Sequence, residues 1–184
     1  MGRKILLGVT GSIAVYKAAE LVRLFVRGGD EVQVVMTPAA TQFVTPLTFQ
    51  TLSQRPVFVD QFAPPAAWRP EHVSLAAWAD LALVAPATAN TLAKMRAGLA
   101  DNLLMATLLA TRVPVFVAPA MNDGMWAAAA TQENLLALRA RGVTVLGPAA
   151  GALACGTSGQ GRMLESAEIF AALSRECRRG HAPV

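Results

Sequence analysis

The sequence predicts an α/β fold, a three-layer doubly wound domain around a six-stranded parallel sheet, and three observations predict it. Short, near-continuous apolar runs alternate with longer stretches of helical spacing, as expected of strands covered on both faces. Hydrophobic residues make up 54% of the 184 and charged residues 15%, which excludes a disordered chain. No window approaches the ~18–20 uninterrupted apolar residues of a membrane span, so no membrane partner is expected.

The elements follow in order. Lys4-Ile5-Leu6-Leu7-Gly8-Val9 reads as a first buried strand, since its apolar run is too short for a signal peptide. It leads into Thr10-Gly11-Ser12. Ala14, Ala18, Leu21 and Phe25 then recur at helical spacing, with Ser12 as the expected N-cap and Gly28-Gly29 as the stop. Glu31 to Met36 is the second strand. Thr37-Pro38 and Thr45-Pro46 each read as an N-cap followed by proline at the first helical position. Val57-Phe58-Val59 is a weak third strand, and the prolines between Asp60 and Glu71 mark a loop before a short helix at Leu75 to Trp78.

Leu81 to Ala85 and Pro114 to Ala118 are the fourth and fifth strands, with helices starting near Thr88 and Asp101 between them. A helix from about Ala127 to Arg141 precedes a sixth strand, Val143 to Leu146. Residues 147–163 hold five glycines and read as a long irregular loop. A last helix spans about Ser166 to Cys177. The expectation is a single Rossmann-like or flavodoxin-like domain over residues 1–184, with a polar tail at about 179–184.

Sixteen basic and twelve acidic residues give a net charge of +4. A basic balance suits anionic partners, but the basic residues are scattered and aromatic residues are few, so nucleic acid is not expected and a solvated surface explains most of the charge. Two cysteines, Cys155 and Cys177, are too few for a disulfide framework or a zinc site, so no metal is expected and a cytoplasmic location with reduced thiols is.

In a doubly wound sheet, ligands bind beyond the carboxyl ends of the strands, where strand order reverses. With order 3-2-1-4-5-6, that crevice lies between the first and fourth strands. The loops there are Val9 to Ile13 and Ala85 to Thr91, each small, hydroxyl-bearing and leading into a helix N-terminus. Free amides and the helix dipole both favour an anion at such a place. Neither loop is G-x-G-x-x-G or a P-loop, so no dinucleotide or ATP site is signalled. Taken singly, Ser12 and Thr88 read as plain helix caps; their pairing at one switch point raises the anion site.

The loop after the fifth strand, Ala118-Pro119-Ala120-Met121-Asn122-Asp123-Gly124-Met125-Trp126, reads by spacing as an Asn-Asp-Gly turn over packed Met and Trp. His72 is one of two histidines, and the other lies in the tail, so any imidazole chemistry must use His72; a packing role is the plainer reading. Cys155 lies in the glycine-rich loop, where a thiol is accessible but could be incidental.

Six ordered stretches together resemble one family. They are Gly11-Ser12-Ile13-Ala14 with Tyr16-Lys17; Met36-Thr37-Pro38-Ala39-Ala40 with Phe43-Val44; His72-Val73-Ser74-Leu75; Ala85 to Thr91; Pro119-Ala120-Met121-Asn122 with Met125-Trp126; and Ala154-Cys155-Gly156 with Gly159-x-Gly161-Arg162-Met163. Over about residues 3–170 the chain resembles the bacterial phosphopantothenoylcysteine decarboxylases, within the flavin-dependent cysteine decarboxylases. Val15 departs from the family's usual alanine.

The resemblance implies FMN as cofactor, held by Gly11, Ser12, Ile13, Thr37, Thr88, Ala89, Asn90, Thr91 and Ala120. It implies a carboxy-lyase of coenzyme A biosynthesis that converts 4'-phosphopantothenoyl-L-cysteine to 4'-phosphopantetheine and CO2. The implied route is oxidation of the thiol, loss of CO2 to an enethiol, and re-reduction. His72 would be the acid/base, Asn122 would hold the substrate carboxylate, and Cys155 would donate the last proton. Met125, Ala154, Gly156 and Met163 would contact substrate, with residues 151–161 as a flap. A homotrimer, or a dodecamer of trimers, is implied, with His72 contributed across an interface. Many bacterial relatives continue into a ligase domain, so a chain ending at Val184 would be either free-standing or cut from a longer protein. The rival readings are a decarboxylase of peptide C-terminal cysteine, a flavin prenyltransferase of the same fold, and a flavin-binding regulatory protein without turnover.

Overall fold

A computed structural model describes residues 2–62, 70–152, 156 and 158–178. Five parallel strands form the central sheet: β1 (Lys4–Val9), β2 (Glu31–Met36), β3 (Leu81–Ala87), β4 (Val115–Pro119) and β5 (Thr144–Val145), in spatial order β2-β1-β3-β4-β5. Strand order reverses between β1 and β3, so the crevice anticipated at that point is present.

Alternation along each strand divides the core into two faces. Ile5, Leu7, Val9, Leu83 and Ala85 point to the side covered by α1 (Val15–Arg27) and α8 (Ser166–Arg178). Leu6, Val35 and Ala82 point the other way, onto α3 (Glu71–Trp78) and α5 (Leu103–Ala110). Val84 and Val117 meet α4 (Ala89–Ala97) and α7 (Ala129–Ala140) on that same side. Two further helices, α2 (Pro46–Ser53) and α6 (Asp123–Ala127), follow β2 and β4. Among the described residues, no helix is long and apolar enough to cross a membrane, and no group of three His, Cys, Asp or Glu could hold a metal.

Four expectations are corrected. The sheet has five strands, not six, because Val57-Phe58-Val59 supplies only a bridge from Phe58 to β2. Phe58 exchanges bonds with Val34 and Met36, but the carbonyl of Pro56 is taken by the Gln33 side chain, so the ladder ends there. The N-cap of α1 is Ala14 rather than Ser12: the chain makes a turn first, with the Ser12 amide donating to Thr10 and the Ser12 hydroxyl accepting from Ala14. Thr37-Pro38 opens only a short 3-10 turn, Ala40–Gln42, with Thr37 Oγ1 accepting from the Ala40 amide.

The fourth correction bears on function. Within 147–163, expected as irregular loop, β6 (Ala149–Ala152) and β7 (Ser158–Arg162) pair antiparallel. Their sequences, Ala-Ala-Gly-Ala and Ser-Gly-Gln-Gly-Arg, have no apolar alternation, so the pattern that marks strands is missing.

Candidate functional site

The loops after β1, β2, β3 and β4 and the β6–β7 hairpin enclose a cavity of about 920 Å³. Thr10, 1% exposed, ties two of these loops together: its hydroxyl donates to the Pro86 carbonyl at 2.6 Å and accepts from the Thr88 amide at 3.3 Å. Gly11 closes the third side, because a Cβ there would lie 2.7 Å from that of Ala39.

Two clusters of backbone donors face this space. Among the described residues, the amides of Gly11 and Ile13 have no protein acceptor. Thr88 caps α4 by accepting from the Thr91 amide at 3.2 Å, while Ala89 and Asn90, the first two helical positions, lack intrahelical partners. Donors at a helix start, reinforced by its dipole, suit an anionic oxygen cluster. Gly11, Ser12, Ile13, Thr37, Thr88, Ala89, Asn90, Thr91 and Ala120 all line the cavity.

The opposite wall is built by the loop after β4. Asn122 is the N-cap of α6, its Oδ1 accepting from the Gly124 amide at 2.8 Å. It is therefore the turn residue that spacing suggests and a cavity-lining residue as well. In a side-chain amide Oδ1 accepts and Nδ2 donates, so a hydrogen bond given by this side chain to a ligand would come from Nδ2. Met121, Met125 and Met163 supply apolar wall beside it.

The hairpin closes over Asn122 through two glycines. A Cβ on Gly161 would lie 2.3 Å from the Met121 carbonyl, and one on Gly159 would lie 2.7 Å from Asp123 Cβ. Contact this close lets the Met121 amide donate to the Gly161 carbonyl at 3.0 Å, and Trp126 Nε1 reaches Gln160 at 3.2 Å. Gly161 thus lets one backbone lie against another, and Gly159 makes room for the Asp123 side chain.

Lys17 is what a reading by elements passes over. It is 6% exposed, and its Nζ donates to the Met163 carbonyl at 2.9 Å and to Glu165 at 2.8 Å. This hydrogen bond is the chief reason the Glu165 carboxyl titrates below the usual range, with the charges of Lys17 and Arg162 adding to it against desolvation. The signal was present: Lys17 falls on the stripe of Ala14, Ala18 and Leu21, where a cation needs a buried partner. Glu165 left no such sign, because its role depends on where the hairpin ends.

The remaining candidates lie elsewhere. His72, on the first turn of α3, is half-buried and is not part of the cavity wall of its own chain. Gly156 is exposed and does not line it. Ala154 and Cys155 lie outside the described residues, as do the polar tail and most of the 60–71 loop.

Known proteins with these features converge. The chain is 52% identical over 182 residues to the coenzyme A biosynthesis bifunctional protein CoaBC of Vibrio cholerae, covering 99% of this chain and 45% of that one. It thus spans about half the length of that relative. A PPC decarboxylase, solved as a cysteine-to-serine mutant with pantothenoylaminoethenethiol, superposes with a TM-score of 0.87 at 32% identity, covering 97% of this chain and all of the other. The FMN-dependent cysteine decarboxylase SpaF superposes with a TM-score of 0.79 at 31% identity, over 95% and 97% of the two chains. The family described as Flavoprotein matches residues 1–178. A crevice of backbone donors at the switch point, and likeness along nearly the whole chain, lead to one conclusion: the chain belongs to the flavoprotein family.

Proposed function

We propose that this chain is an FMN-dependent phosphopantothenoylcysteine decarboxylase that acts in coenzyme A biosynthesis, converting 4'-phosphopantothenoyl-L-cysteine to 4'-phosphopantetheine and CO2. The observation that carries this reading is one cavity holding both the backbone anion cradle and the Asn122 amide, roofed by a glycine-tethered hairpin. The likeness to a PPC decarboxylase over the whole length of that chain supports it.

The residues fit a flavin mononucleotide. The amides of Gly11, Ile13, Ala89 and Asn90 suit a single phosphate, and about 920 Å³ accommodates a cofactor together with a substrate arm. Bound FMN would supply a two-electron acceptor and donor for the cysteine side chain, which decarboxylation needs because a simple cysteine carbanion has no electron sink.

The chain's own groups do the rest. Asn122 Nδ2 donates to the substrate carboxylate without neutralising it, so the group is held but not stabilised as an ion pair, and its electron pair stays on the substrate when neutral CO2 leaves. The methionines keep water from that end. Cys155 delivers the last proton to carbon. His72 moves the proton at the substrate thiol, since an imidazole can both accept and donate a proton.

Because His72 is not on its own chain's cavity wall, it serves a neighbouring protomer's site. Ile13, Tyr16, Phe43 and Met125, each at least 49% exposed, form an apolar rim to the cavity that a neighbour would cover. A homotrimer, alone or assembled further, is the proposed state, with one functional unit per chain and a cytoplasmic location.

Purified yellow protein is incubated with phosphopantothenoylcysteine and, separately, with a cysteine-terminated peptide, and CO2 and product mass are read. CO2 and phosphopantetheine from the first alone support the proposal. Turnover of the peptide alone assigns the peptide chemistry, and release of FAD on denaturation removes FMN.

A further inference from the structure

Two cations and one carboxylate meet at the cavity wall where the hairpin rejoins the core. Glu165 accepts from Lys17 at 2.8 Å and lies 3.7 Å from Arg162 Nη2, too far for a hydrogen bond. The trio carries a net charge of one positive unit. All three line the cavity.

Arg162 is the member left with donors. Among the described residues its guanidinium makes no hydrogen bond, and its Nε is buried without a partner. It packs against Gly151 across the hairpin, where a Cβ would come within 3.2 Å of Cζ, so packing and the Glu165 charge hold the fork in place. A planar fork of this kind matches two oxygens of a phosphate.

We propose that Arg162, backed by Lys17 and Glu165, receives the phosphate monoester of the substrate and so selects phosphorylated over unphosphorylated cysteine derivatives. This rests on the decarboxylase reading above. FMN and such a substrate bring two phosphates into one cavity, and two dianions repel. The neutral amides at the switch point suit one, and the net positive trio suits the other. The trio is also better used on the phosphate than on the substrate carboxylate. An arginine paired with the carboxylate would stabilise the ground state that must lose CO2, whereas binding energy at a remote end can be spent on positioning.

The test uses the FMN-loaded full chain, as parent, Arg162→Gln and Arg162→Lys. Calorimetric titration with 4'-phosphopantetheine and with pantetheine is compared with kcat/KM on the cysteine substrate with and without its phosphate. The parent should prefer the phosphorylated members. Arg162→Gln should lower that preference about 10–100-fold in both readouts, the loss typical of a charge-assisted hydrogen bond. Arg162→Lys should recover part of it, keeping the charge but not the fork. An equal loss for both ligands, or a parent without preference, overturns the proposal. So does a loss confined to FMN relative to riboflavin, which would assign the arginine to the flavin phosphate. A parent that binds phosphopantetheine preferentially yet turns nothing over would sink the decarboxylase reading and leave the phosphate site standing.

Discussion

The roles proposed for Asn122 in structure and in chemistry fall to different atoms of one side chain. Its Oδ1 caps α6, and the carboxylate contact proposed for it belongs to Nδ2. Asn122→Asp should therefore fold normally, since aspartate is as good an N-cap as asparagine. It should nevertheless fail in turnover, because a second negative charge would face the substrate carboxylate. A melting temperature near the parent's with decarboxylation down at least about a hundredfold is expected; parallel loss of both would make Asn122 merely structural. Cys155→Ser tests the proton assigned to that thiol. A hydroxyl is a far weaker acid than a thiol of pKa ~8.5. The variant should release CO2 for about one turnover and leave a product roughly two mass units lighter than phosphopantetheine, the missing pair of hydrogens. Mass spectrometry showing full phosphopantetheine at the parent rate would remove Cys155 from the mechanism.

The hairpin and α1 are the elements on which the site depends. Gly161 combines a φ of 138° with a Met121 carbonyl 2.3 Å from where a Cβ would sit. Gly161→Ala should cost about 1–3 kcal/mol of stability by overpacking and push the hairpin off Asn122. Flavin should still bind, because its cradle belongs to the loops after β1 and β3, while decarboxylation falls sharply. Flavin absorbance, thermal melting and turnover measured together would show it; unchanged turnover would mean the hairpin does not set the site. The anchor between α1 and the segment leading into α8 is the Lys17–Glu165 pair. Glu165 titrates below its ordinary range in the fold, so the pair contributes fully above the unfolded value near ~4.3 and fades as pH falls through the lower folded value. Glu165→Gln should lose about 1 kcal/mol at neutral pH, modest because Glu165 is half-exposed. It should also show a shallower decline in melting temperature below about pH 4.5. An acid limb identical to the parent's would refute the pairing's role.

At the scale of the whole molecule, the separation of His72 from its own chain's cavity has a direct genetic consequence. If each site takes His72 from one protomer and Asn122 from the next, two inactive variants can repair each other. His72→Asn and Asn122→Asp should each be inactive with flavin bound. Co-expressed and randomly mixed, they should regain about a quarter of parental activity, the fraction of sites that draw both intact residues. No recovery from a mixed oligomer would place both residues in one chain.

The sequence alone carried the layer order and the location of the crevice, because buried parallel strands and amphipathic helices write their burial into hydropathy. The cap of α4 was legible for a related reason: caps and helix starts use a small set of residues at short range, as Thr88 with Thr91 shows. The hairpin was not legible, since Ala149 to Arg162 pairs through backbone bonds and docks through glycine, and neither leaves an apolar period. Nor was the edge at Phe58, where one side chain, Gln33, competes for the carbonyl that would have continued the strand. The Lys17–Glu165–Arg162 cluster joins residues nearly 150 positions apart. Lys17 alone is marked in the sequence, by its place on the buried stripe of α1; Glu165 and Arg162 read as ordinary surface charges, and only the chain's return across the cavity brings the three together.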